Sequence, residues 1–199
     1  LLIAVTSSTA IALFSDRLER TMTDQTAEFL AADMVITSHA PIPDAWLEKA
    51  TQFRLSQAQT VEFSSVLIEH DELLLSGIKA VSDRYPLRGF LKSITANYST
   101  ETIERQGPKP GFAWVDKRVL SALKLNLGDP ITVGEKQLTT SKIITYEPDK
   151  QGDVYSLSPR VMINKQDLQV TGVIQPGSHV HYFFQFSGEP AQLSEFKRW

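Results

Sequence analysis

Cysteine is missing altogether from this 199-residue chain, which excludes a disulfide framework and any thiolate-based metal or redox site. Positive charge is not in excess either. Lys and Arg number 20 against 23 Asp and Glu, a net charge of -3, whereas a nucleic-acid binder carries a clustered basic face. Catalytic signatures are missing as well. No G-x-x-x-x-G-K-[ST] phosphate loop, no G-x-S-x-G nucleophile elbow and no H-E-x-x-H zinc helix occurs. A complete membrane span is also lacking. The uncharged apolar stretch 1–15 would reach roughly 22 Å as a helix, against a hydrocarbon core of roughly 30 Å.

What remains is ordinary globular material, 42% hydrophobic and 22% charged, enough for a core in one domain or two small ones. The start without Met reads as a fragment whose upstream part is cut away, and since no basic segment precedes the apolar stretch a signal peptide fits poorly. Two readings of 1–15 stand side by side. It is the end of a transmembrane helix, or it is a buried soluble helix, which the polar run Thr6-Ser7-Ser8-Thr9 favours. From Phe14 the pattern Phe14, Leu18, Met22, Phe29 keeps to one helical face with no Gly or Pro break. That continuation tips the balance towards a membrane helix running on as a stalk. The junction lacks the Lys/Arg excess of a cytoplasmic flank, which places the stalk on the outer side.

Beyond the stalk the pattern predicts α+β. Residues 33–38 read as a strand ended by Pro41 and Pro43, and Pro43 can open a helix. Trp46, Ala50 and Phe53 then recur at helical spacing; Trp46 and Phe53 read as core residues, with an apolar face open to a lipid-like molecule as the alternative. Runs 58–68 and 73–81 face each other across Glu69-His70-Asp71-Glu72, a hairpin with an acidic tip. A strand is expected at 112–115, followed by a helix capped by Asp116 with Val119, Leu120 and Leu123 inward. Strands 131–133 and 137–146 turn at Gly134-Glu135. Strand 161–163, a short helix 165–168 and strand 180–186 complete the chain.

Several landmarks occur in a fixed order: Leu30-Ala31-Ala32-Asp33-Met34-Val35-Ile36 after the stalk; Lys79-Ala80-Val81 before Tyr85-Pro86-Leu87-Arg88-Gly89; Trp114-Val115-Asp116 before Leu127-Gly128-Asp129; Glu147-Pro148-Asp149 before Ser158-Pro159-Arg160-Val161; Thr171-Gly172 before Ser178-His179-Val180. The ordered set resembles the first periplasmic domain of FtsX-like/MacB-like ABC-transporter permeases over nearly the whole chain. His179 departs from it, standing where a basic residue such as Arg is more usual. The resemblance implies a MacB-like periplasmic core: two βαβ-like porter halves with an inserted small β-rich, sabre-like subdomain, behind an N-terminal stalk helix. The implied divisions are 1–30 for the end of the transmembrane helix and the stalk, 31–97 for the first porter half, 98–157 for the insert, and 158–199 for the second half and the return to the membrane. It also implies the bacterial inner membrane, with this domain in the periplasm; nucleic acid is no partner on the charge balance given above. Partners are a cytoplasmic ABC ATPase subunit, the permease's transmembrane helices, a second periplasmic domain, and a periplasmic hydrolase or other envelope protein.

No catalytic, cofactor-binding or metal-ligating residue is assigned, and the chain reads as a non-enzyme. Ser178 and His179 are neighbours and on a strand would point to opposite faces. His179 and His181 share a strand face but have no recognisable third ligand, so they read as structural or exposed. Asp149 and Asp153 lack the alternating acids of a calcium loop and read as a solvated turn. The acidic tip Glu69 to Glu72 reads as a solubilising turn rather than a partner site, and Tyr85 to Gly89 as a rigid turn rather than a conformational linker. Asn97-Tyr98-Ser99 matches a glycosylation acceptor, idle in a bacterial envelope. Two functions follow. ATP-driven export or extraction of a hydrophobic substrate or lipoprotein requires an apolar groove or face; mechanical relay to a periplasmic partner requires a polar patch. A soluble α+β binding protein is a third option.

Overall fold

From Met34 onward strands of 3 to 14 residues are interspersed with helices of 4 to 9 residues; the computed structural model describes residues 29–96, 99–150, 158–175 and 177–199, with Phe14 and Ala27. Strand β1 (Met34–Ser38) leads through Pro41 and Pro43 into α1 (Asp44–Gln52). Pro43 stands just before the helix and Asp44 supplies a negative charge to its first turn. Strands β2 (Ser56–Glu69) and β3 (Glu72–Val81) form the long hairpin. Its turn is His70-Asp71, both at positive φ (49° and 63°), the twist that matches a two-residue connection to right-handed strands.

Strands β4 (Leu91–Ile94) and β5 (Thr102–Glu104) follow, then β6 (Phe112–Val115) and α2 (Lys117–Ala122). The Asp116 carboxylate accepts from the Arg118 backbone N–H, as expected of an N-cap. Strands β7 (Pro130–Val133) and β8 (Lys136–Tyr146) turn at Gly134-Glu135. A Cβ on Gly134 would meet the Thr171 carbonyl oxygen at 2.0 Å, so only glycine fits this turn. Strand β9 (Arg160–Asn164), α3 (Lys165–Leu168), β10 (His181–Ser187) and α4 (Pro190–Arg198) end the chain.

Among the described residues all ten strands join one sheet in the order β1-β10-β2-β3-β9-β6-β8-β4-β5, with β7 on β8. The β3–β9 and β6–β8 pairs are parallel and the others antiparallel. The result is a mixed sheet with a few short helices. Strands from 112–146 are continuous with those of 34–81 through β9, which pairs with both β3 and β6. The expected stalk and transmembrane segment at 1–30 fall almost wholly outside the described residues, as do Asn97, Tyr98 and Asp153. Among the described residues no helix is long and apolar enough to cross a membrane.

Strand alternation divides the side chains between two faces. On one face Val61, Phe63, Ile78, Ala80, Val161 and Ile163 pack against α2 and β7. Further along that face Phe184 and Phe186 pack with Ala50 of α1 and Phe196 of α4. The opposite face is smaller in its apolar content and is built from Ala58, Val81, Trp114 and Met162 beneath Tyr85 and Leu91. This second face carries the charges.

Candidate functional site: a buried charge cluster and an apolar groove

The hairpin register sets Glu62 directly opposite Lys79, and the parallel pairing sets Arg160 opposite Gly77. All three side chains therefore rise from the same face. Lys79 is completely buried, and Glu62, Arg160 and Glu147 nearly so. Lys79 Nζ lies 2.5 Å from Asp149 Oδ1, 3.3 Å from Glu62 and 3.5 Å from Glu147, and it donates to Tyr85 Oη at 2.9 Å. Arg160 bridges Glu62 at 2.9 Å and Glu147 at 3.1 Å. Tyr85 Oη donates to Asp149 Oδ1 at 2.5 Å.

Two cations thus face three carboxylates in a place nearly closed to water. Burial opposes the Lys79 charge, but Asp149, Glu147 and Glu62 outweigh it and hold the ammonium's pKa well above its ordinary value. Burial also opposes ionisation of Glu62, yet Lys79 and Arg160 pull its pKa below the usual carboxylate value. Asp149 goes the other way. Burial raises its pKa, and the neighbouring Glu147 and Glu62 add to the rise against the pull of Lys79. Burial and the Asp149 carboxylate push the Tyr85 hydroxyl well above its ordinary value.

Mechanically the cluster ties three strands to the segment 147–149 and to the loop after β3. That loop is pinned a second time. Arg88 forms a two-point pair with Asp33 at 2.8 Å, and the Leu87 and Arg88 amides both donate to the Ala31 carbonyl. Asp149 is therefore not a residue of a solvated turn, contrary to the sequence reading. It closes the charge balance of Lys79, which that reading had quoted as a landmark of the resemblance and given no role in an ion pair.

The acidic tip is exposed at His70 and Asp71, and its two glutamates have partners. Glu69 accepts from the Thr132 amide at 2.7 Å, and Glu72 pairs with Lys124 at 2.5 Å. The tip is held against α2 and β7. Apolar surface on the hairpin lies instead on the face opposite its core: Val66, Ile68, Leu73 and Leu75 are all more than half exposed and oppose each other in pairs.

At the far edge of the sheet, α1 and α4 lie side by side over β1. Between them runs a groove of about 650 Å³ lined by Met34, Val35, Ile36, Trp46, Phe196 and Trp199, with Lys197 the charged residue beside it. Trp46 and Trp199 meet edge to face at 6.4 Å, and Phe196 stacks on Trp199 at 6.2 Å. Trp46 was expected in the core, but it is 39% exposed. The physical reason is its place: Ala50 faces the sheet, while Trp46 lies where the sheet ends at edge strand β1. Phe53 packs partly buried against Phe196.

The histidines stay apart from any such site. His179 precedes β10 and is exposed, so it does not share a strand with His181, whose ring meets His39 at 4.8 Å. Among the described residues no group of three or more His, Asp or Glu is placed to hold a metal ion.

Set against known proteins, the chain aligns along almost its whole length with one part of an ABC transporter permease. That relative is YbbP of Escherichia coli (strain K12), an uncharacterized ABC transporter permease, 32% identical over 197 residues, which are 99% of this chain and 24% of the relative. The chain thus spans about a quarter of the length of the curated relative it matches. This match bears out the resemblance, drawn from the sequence, to a part of an ABC transporter permease. The periplasmic region of MacB from Actinobacillus actinomycetemcomitans is similar at a TM-score of 0.47 and 10% identity, over 76% of this chain and 71% of that one, too loosely to carry an argument. No family model matches the sequence.

Proposed function

We propose that this chain is a non-catalytic periplasmic domain of an inner-membrane ABC transporter permease, coupling ATP hydrolysis on a separate cytoplasmic subunit to extraction or export of a hydrophobic, lipid-like substrate or lipoprotein. The groove between α1 and α4 carries the reading. Two partly exposed tryptophans and a floor of Met34 and Ile36 leave apolar surface open to solvent, and exposed apolar patches mark places where a partner or ligand binds. The transport reading requires such a surface. A mechanical relay to a polar partner patch does not.

The pinned core complements it. The charge cluster and the Asp33–Arg88 pair make the sheet and its adjoining loop one rigid piece, which suits a domain moved as a body by membrane helices. The two porter halves, the sabre-like insert and the divisions at 30, 97 and 157 belong to this proposal. A photo-crosslinking amino acid at Trp46 in the full-length permease, expressed in cells with its ATPase, tests it. Crosslinks to lipid or lipoprotein that disappear when the ATPase is inactivated support extraction. Crosslinks to a soluble periplasmic protein alone, unaffected by added lipid, would replace transport with mechanical relay.

A further inference from the structure

A second cavity, sharing no lining residue with the groove, lies against the same sheet face, where Val61 of β2 and Tyr182 of β10 stand opposite each other. It measures about 640 Å³ and sits where β3 and β9 end together. Because these strands are parallel and in register from Gly77–Arg160 to Val81–Asn164, the segments leaving them, Ser82-Asp83 and Asn164-Lys165-Gln166, emerge side by side. One wall is apolar, with Val61, Leu168, Ile174 and Tyr182. The other is polar and carries Lys165.

Lys165 differs from the other deeply placed lysine of the fold. Lys79 has three carboxylates around it. Lys165 is half-buried, and its ammonium donates to Gln59 Oε1, an uncharged amide oxygen. Among the described residues no carboxylate lies within ion-pair distance of it. The nearby Asp83 is taken up elsewhere, accepting from Asn164 Nδ2 at 2.9 Å and from Gln166 Nε2 at 3.1 Å. Burial accordingly pushes the Lys165 pKa below its ordinary value, with no opposing charge to restore it. A partly desolvated cation without a counter-charge costs free energy, and an anion entering the cavity recovers it through a charge-assisted hydrogen bond.

We propose that this cavity binds a small amphiphilic organic anion, its carboxylate or phosphate head on Lys165 Nζ and its apolar body against Val61, Leu168, Ile174 and Tyr182. Cavities with apolar walls and one or two placed polar groups are the usual form of a small-molecule site. The amide of Gln59 acts as a placeholder for the head, and Asp83, held by its own amides, stands at the rim. The site is separate from the apolar groove and does not depend on it.

Titration calorimetry of the 199-residue chain with octanoate tests this, with octyl phosphate, octanol and inorganic phosphate as comparisons. Octanoate and octyl phosphate should bind at one site, and Lys165→Met should weaken both by roughly ten-fold or more. Lys165→Arg should retain most of the affinity, which separates loss of charge from loss of fold. Octanol and inorganic phosphate should each bind far more weakly than the amphiphiles. Tighter binding of octanoate than octyl phosphate would assign the site to carboxylates, and the reverse to phosphates, both within the proposal. No octanoate or octyl phosphate binding, binding unaffected by Lys165→Met, or equal affinity for octanol would overturn it. Since none of these ligands is read at Trp46, failure here leaves the groove reading untouched.

Discussion

Replacing Lys79 by Met removes one cation from a cluster of two cations and three carboxylates. The formal balance around Arg160, Glu62, Glu147 and Asp149 then moves from -1 to -2. Tyr85 Oη also loses a partner at 2.9 Å. Met has nearly the volume of the lysine stem, so cavity formation contributes little and the loss is electrostatic. Breaking a buried pair by removing one partner costs about 3–5 kcal/mol, because an uncompensated charge stays behind. For a chain of this size each kcal/mol lowers Tm by roughly 2–4 °C, so the midpoint should fall by roughly 6–20 °C. Scanning calorimetry or thermal circular dichroism reads this directly. Combining Lys79→Met with Glu62→Gln restores the -1 balance and should recover part of the loss, giving a clear coupling in the double-mutant cycle. Lys124→Met serves as control, since the Lys124–Glu72 pair lies in solvent and its Tm should stay put. A Lys79→Met protein as stable as the parent would refute the charge-balance account of this face.

Acidification probes the same cluster with two opposite signs. Glu62 has its folded pKa below the ordinary 4.5, so its contribution is full above that value and is lost as pH falls through the folded pKa. Asp149 has its folded pKa above the ordinary 3.8, so its contribution is full below that value and fades as pH rises through the folded one. Urea unfolding from pH 3 to 7 should therefore show Glu62→Gln flattening the acid limb, and Asp149→Asn flattening the part above it. Gly134→Ala should destabilise by about 1–3 kcal/mol, because its Cβ would press on the Thr171 carbonyl and Val173. Gly128→Ala, also at positive φ but with open space around the new methyl, should cost less; equal urea midpoints for the two would contradict the steric argument.

The sequence carried most of the strands and turns because their signals are local. The hairpin is an alternating pair around a two-residue polar turn, Asp116 is a side-chain cap, and Gly134 marks a turn that admits no Cβ. Strands β4 and β5 escaped because they are four and three residues long, and Ser93, Thr102 and Glu104 make them look like loop. The charge cluster escaped for a different reason. Lys79 and Glu62 read individually as ordinary strand residues, yet the His70-Asp71 turn fixes a register in which they must face each other. A lysine flanked by Ile78 and Ala80, with Val81 on its own face, has no route to water. That combination was in principle readable. The contributions of Asp149 and Arg160 were not, because Arg160 depends on the parallel pairing of β9 with β3 and Asp149 on the course of the turn after β8. Trp46 was misplaced because helical spacing shows which side chains share a face and not where the sheet beneath them stops.

The claim at the centre of this account is that the domain lies outside the inner membrane and moves with the ATPase cycle. These 199 residues hold no cysteine, so in a full-length permease whose cysteines elsewhere have been replaced, Ser64→Cys on the exposed hairpin face and Lys197→Cys beside the groove serve as single reporters. In the full-length permease, labelling of intact cells with a membrane-impermeant thiol reagent should reach both, and the rate at Lys197→Cys should change when the partner ATPase is inactivated. Labelling that appears only after lysis would place the domain in the cytoplasm and contradict the account.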